Sequence, residues 1–145
     1  MPHQPETLHE IASLLKQESE AIQNIPVSES FIKAVDLIYQ KVHHEGGKVI
    51  VSGMGKAGQI AANIATTLCS TGTPAVFLHP SEAQHGDLGI ICAKDVLIVL
   101  SNSGKTREII ELVSLTHNLF ENVPLIVITG NPHGELPKIA EVSIF

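Results

Sequence analysis

"KVIVSGMGKAGQI", Lys48 to Ile60, decides how this chain folds. Val49, Ile50 and Val51 open it as a short β-branched run, the composition of a buried strand. Gly53-Met54-Gly55-Lys56-Ala57-Gly58 follows and satisfies G-x-G-x-x-G. A helical pattern then runs from Ile60 to Ser70. A strand, a glycine turn and a helix in that order predict one βα unit.

The same alternation continues outward. "PAVFLHP", "DVLIVLSNSG", "PLIVITGNP" and "EVSIF" are further strand runs, and Glu108 to Leu119 is a further helical pattern. Strands alternating with helices predict right-handed crossovers and a doubly wound, five-stranded parallel α/β sheet covered on both faces. Upstream, Leu8, Ile11, Leu14, Leu15, Ala21 and Ile22 predict an amphipathic helix over about 6–24, stopped by Pro26. Ser28 is placed to cap a second helix with a stripe of Phe31, Ile32, Val35, Ile38 and Val42, ended by Gly46-Gly47. The expected organisation is one domain: a helical arm over 1–46 and an α/β core over 47–145.

Composition narrows the function. Of 145 residues 43 % are hydrophobic and 17 % charged, and Trp is absent, so the core is built from aliphatic side chains. A formal charge of −6 argues against a nucleic-acid surface, which needs a basic field. "MPHQPETLHE" has neither a basic nor an apolar leader region, and no run has the length of a membrane span. Cys69 and Cys92 lack metal-site spacing and are expected to be buried, reduced thiols. These features predict a cytoplasmic protein with no nucleic-acid or membrane partner.

The glycine turn invites a dinucleotide, but that fold wants an acid at the end of the next strand. Here the next strand ends in His79-Pro80, and Lys56 sits in the turn ready to neutralise an anion. The loop "SNSGKT", Ser101 to Thr106, gathers three hydroxyls and an amide around Gly104, before a helix. Backbone N–H groups and a positive helix end make such a loop an anion site. It is no triphosphate-binding loop, because the glycine required five positions before Gly104 is Val99. The alternative is an ordinary helix capped by Ser103. Two anion-fitted loops on neighbouring strands predict a sugar phosphate lying across the end of the sheet.

"SGMGKAG", "STGTPAVFLHPSEAQHGDLG" and "SNSGKTREI" together resemble the sugar isomerase (SIS) domain of the D-arabinose 5-phosphate isomerases. The resemblance implies a flavodoxin-like strand order and interconversion of D-ribulose 5-phosphate and D-arabinose 5-phosphate. It further implies service to the synthesis of the sugar acid Kdo for lipopolysaccharide or capsule, in a homotetramer with sites near subunit contacts. By the same resemblance Ser101, Asn102, Ser103 and Thr106 hold the phosphate, with Ser52 and Gly55 beside the substrate and Gly72 and Thr73 touching it. Lys56, Glu108 and His85 take the catalytic positions. No cofactor is implied as required; His79 matches a position that carries zinc in some members, incidental to catalysis.

Aldose–ketose isomerisation moves a proton between adjacent carbons through an enediol, using a group whose pKa lies near working pH. Glu108 suits the proton transfer, Lys56 the enediolate oxygen, and His85 ring opening or a proton shuttle. Structural alternatives stand beside each. Glu108 could merely complement a helix dipole, Lys56 be a solvated lysine, and His85 with Asp87 brace an Ω-type loop. His3, His9, His43, His44, His117 and His133 read as surface residues.

The family continues past the position of Phe145 with helices and a paired regulatory domain, so this chain is expected to be a fragment. An edge exposed at "EVSIF" is expected with it. Lys105 and Arg107 stand where longer relatives carry acidic and small residues, which makes the loop more cationic. The competing function is a non-catalytic module binding a sugar phosphate or sugar nucleotide.

Overall fold

The computed structural model describes residues 4–145, with side chains from Glu6 onward; His3 lies outside them. Five parallel strands form one sheet: β1 (Val49–Gly53), β2 (Ala75–Phe77), β3 (Val96–Leu100), β4 (Leu125–Ile128) and β5 (Val142–Ile144). Their order is β2-β1-β3-β4-β5. Val51 aligns with Phe77 on one side and Ile98 on the other, which fixes the register of the centre. The helices are α1 (Gln4–Gln23), α2 (Glu29–Ile38), α3 (Lys56–Ser70), α4 (Pro80–Gln84), α5 (Arg107–Leu119) and α6 (Leu136–Ile139).

Strand side chains alternate between two apolar layers, and both are covered, so β1 and β3 are buried at every position. Ile50, Leu97, Val99, Leu125 and Val127 meet Ile109, Leu112 and Val113 of α5, Leu136 of α6 and Ala83 of α4. Val49, Val51, Val96, Ile98, Ile126 and Val142 meet Ala61 and Ala65 of α3, and Ala34 of α2. Burying each larger aliphatic side chain contributes about 1.5–3 kcal/mol.

The glycine turn is a packing device. A Cβ on Gly58 would lie 2.7 Å from the Gly53 carbonyl oxygen, so α3 presses against the end of β1 only because that carbon is missing. Gly58, Ala61 and Ala65 continue the small-residue face along α3. Gly55 has φ +56°, which glycine adopts at no steric cost, and α3 therefore starts at Lys56, four residues before the apolar pattern at Ile60.

The arm is divided. Every residue from Glu6 to Glu29 is exposed, Leu8, Leu15 and Ile22 by 63–69 %, so α1 stands clear of the domain. α2 instead packs on β5 and sends Ala34 into the core, leaving Ile32 and Val35 outside. Its end widens into a π-helical turn, Tyr39–His44, with Tyr39 against the rings of His43 and His44. Ser28 has the extended backbone of a cap, but its side chain makes no capping bond. β5 is an edge strand, as expected, although α2 covers one of its faces. Both cysteines are exposed, contrary to expectation. Cys69 ends the outward face of α3, where its sulfur meets the Ala75 backbone; Cys92 lies in the turn before β3. No helix among the described residues is long and apolar enough to cross a membrane.

Candidate functional site

The strand order reverses between β1 and β3. From β1 the chain passes outward to β2, and from β3 it passes the other way to β4 and β5. α3 covers one face of the sheet and α5 the other, so the loops after β1 and β3 diverge and leave a crevice at the strands' carboxyl ends. Both anion-fitted loops read from the sequence open at this rim.

The Ser101–Thr106 loop is held from within and from the side. Ser101 is buried; its N–H donates to the Ile128 carbonyl at 3.1 Å, and its hydroxyl lies 2.7 Å from the Thr106 hydroxyl. The Gly104 N–H donates back to the Ser101 carbonyl at 3.0 Å, with Gly104 at φ +62°. Thr106, not Ser103, occupies the cap position of α5, and its hydroxyl is turned to Ser101 instead of the helix. Ser103 accepts from the Lys105 N–H at 3.2 Å. The N–H groups of Asn102, Ser103 and Thr106 find no acceptor among the described residues, and the first turn of α5 adds its own free donors. Such a ring of donors takes an oxyanion. The helix end adds only about 0.3–1 kcal/mol, so direct hydrogen bonds carry most of the grip.

A second loop holds this one in place, and the sequence reading missed it. After β4, Thr129 donates its hydroxyl to the Asn102 carbonyl at 3.3 Å, and Asn131 donates its amide to the Ser103 carbonyl at 2.8 Å. The Glu135 and Leu136 N–H groups both donate to the Gly104 carbonyl, at 2.9 and 3.0 Å. A Cβ on Gly134 would lie 2.7 Å from that same oxygen. "TGNPHGE" carried the turn residues that could have marked it, but nothing local names the loop it faces.

On the other side of the crevice, Lys56 is exposed in the first turn of α3. Gly55 and His79 line a shared cavity of about 270 Å³ with Gly58, Gln59, Ala62 and Phe77. Ser52 is fully buried and donates its hydroxyl to the Leu78 carbonyl, bracing the ends of β1 and β2. His79 caps α4: its Nδ1 accepts from the Ser81 N–H at 3.3 Å. The described residues contain no group of three side chains able to hold a metal, and one imidazole does not fit a zinc site.

Glu108 is half-buried in the first turn of α5, and His85 is exposed just past α4. Gly72 and Thr73 are not brought to this rim within one chain. They precede β2, so roughly 20 Å of extended chain separates Thr73 from His79. Thr73 instead lies 3.4 Å from His43. His9, His43, His44 and His133 are exposed as expected; His117 is half-buried, with a ring nitrogen 3.1 Å from the Val123 carbonyl.

The model of the SIS domain matches residues 42–144, which span both loops of this rim. The chain belongs to the SIS-domain family. This SIS domain is 42 % identical over 139 residues to the arabinose 5-phosphate isomerase KdsD of Pseudomonas aeruginosa, covering 94 % of the chain and 41 % of that protein. It is 49 % identical over 98 residues to KdsD of Escherichia coli K12, covering 68 % and 29 %. The chain thus spans less than half the length of these curated relatives. Among solved structures it is similar to a Bacteroides fragilis protein described as a candidate phosphosugar isomerase of capsule formation. The TM-score there is 0.93 at 56 % identity, over 95 % of this chain and 72 % of that one. An Escherichia coli CFT073 protein in complex with A5P matches at a TM-score of 0.87 and 34 % identity, over 98 % and 73 %.

Proposed function

We propose that this SIS domain catalyses the interconversion of D-ribulose 5-phosphate and D-arabinose 5-phosphate. The observation that carries the proposal is the Ser101–Thr106 loop, with three unmatched N–H donors at the switch point. The likeness to arabinose 5-phosphate isomerases and to the A5P-bound structure supports the choice of sugar.

The phosphate sits on Asn102, Ser103 and Thr106, with the Ser101–Thr106 hydroxyl pair beneath it. That anchors the sugar so its carbonyl end points toward the β1 loop. Glu108 takes a proton from the hydroxyl-bearing carbon beside the carbonyl and returns it to the former carbonyl carbon, while the hydroxyl proton passes from one oxygen to the other. The Lys56 ammonium stabilises the negative oxygen of the enediol between the two steps. His85 serves the opening of the cyclic sugar. Proton transfer of this kind requires no cofactor. The product feeds Kdo synthesis for lipopolysaccharide or capsule, in the cytoplasm. The protein works as a homotetramer, and a neighbouring copy brings Gly72 and Thr73 toward the substrate.

Incubation with ribulose 5-phosphate in deuterated water tests the reaction. Deuterium is expected at the carbon beside the carbonyl. Binding without exchange would replace the enzyme by a sugar-phosphate-binding module.

A further inference from the structure

Among the described residues, one carboxylate links the turn that carries His85 to α5 by hydrogen bonding. Glu111, one turn into α5 from Arg107, uses both oxygens: Arg107 Nε donates to Oε1 at 2.8 Å, and Gln84 Nε2 donates to Oε2 at 2.9 Å. The Arg107 guanidinium, and then the Gln84 amide, hold the Glu111 carboxyl below the usual carboxylate range. It is therefore charged near neutral pH, with both oxygens acting as acceptors. Gln84 immediately precedes His85, and Arg107 immediately precedes Glu108. The relay thus joins the neighbours of two residues given chemical roles.

Among the described residues, the Gln84–Glu111 bond is the one hydrogen bond from the segment Pro80–Ile90 to another element. Pro80 and Ala83 are buried and Leu88 packs on the core, so the inner side of the segment is fixed by apolar contact. Its outer side is free: Gly86 has φ +136°, and a Cβ at Gly86 or Gly89 would meet nothing. Apolar contact sets depth but not direction, whereas a hydrogen bond sets both.

We propose that Glu111 is a positioning residue, which sets where His85 stands relative to Glu108 by holding Gln84 and Arg107 together. The proposal rests on the isomerase reading for its effect on rate. An exposed pair of this kind adds little to global stability, so its effect falls on turnover and not on folding. Misplacement of a reacting group by about 1 Å costs up to about a hundredfold in rate.

The test compares the intact protein with Glu111→Ala, Gln84→Leu, and the paired change Gln84→Glu with Glu111→Gln, which reverses the direction of donation. Each single change is expected to lower kcat for deuterium incorporation at least about tenfold. KM is expected to stay within about twofold, because the phosphate loop is braced by the β4 loop instead. Amide hydrogen exchange over residues 81–91 is expected to speed up in both single variants, and the paired change to recover kcat and protection together. Unchanged kcat, or a loss confined to KM, overturns the positioning role. Unchanged amide exchange overturns the link itself, independently of any activity. If the unmutated protein incorporates no deuterium, the isomerase reading falls and the role in turnover falls with it.

Discussion

Around Ser101–Thr106, backbone oxygens are taken by donors from another loop; around Pro80–Ile90, one side-chain bond reaches another element among the described residues. Both segments follow strands at the same rim. The first is held through its backbone oxygens by the loop after β4, which suits the phosphate anchor proposed for it. The second is fixed on its inner side by apolar contact and at Gln84 by one hydrogen bond, which suits the positioning role proposed for Glu111. The two segments thus differ in how they are restrained, and the difference can be broken from either side.

The largest effect is expected at Glu108, which belongs to neither restraint. Glu108→Gln should lower deuterium incorporation by about 10²–10⁴-fold while leaving ribulose 5-phosphate binding, followed by calorimetry, largely intact. Equal incorporation in both proteins would remove Glu108 from proton transfer.

An intermediate effect is expected from the first segment. Gly134→Ala puts a Cβ 2.7 Å from the Gly104 carbonyl oxygen, so the β4 loop must withdraw from the loop it braces. Urea unfolding should register a loss of about 1–3 kcal/mol, with sugar-phosphate affinity falling at least about fivefold. Unchanged affinity would show that the anchor does not depend on its brace.

The smallest effect is expected from the ion pair within α5 that holds Gln84's partner. Arg107 holds the Glu111 carboxyl below its ordinary range, so that pair stabilises the fold above this range and stops doing so as acid protonates Glu111. Arg107→Ala should therefore lower Tm slightly at neutral pH, and the difference should shrink on acidification. A gap that widens in acid would contradict the pairing.

The sequence by itself determined the strands, the crossovers and the rim at which the anion-fitted loops lie. β-branched runs broken by Gly, Pro, Ser and Asn are local signals, and a strand followed by a glycine turn or "SNSGKT" fixes which rim the loops occupy. Backbone preference and hydrophobic period act within a few residues, so they survive reading in one dimension. Tertiary structure decided which groups meet. Asn131 reaches Ser103 across 28 positions, Ser52 reaches Leu78 across 26, and Gln84 reaches Glu111 across 27. Thr106 takes the cap position of α5 with its hydroxyl on Ser101, and both cysteines are exposed where burial was expected. The direction of β2 places Gly72 and Thr73 at the opposite rim within one chain, so their proposed contact with substrate needs a neighbouring copy. Contacts between distant segments depend on how the whole sheet is wound, and no local pattern encodes that.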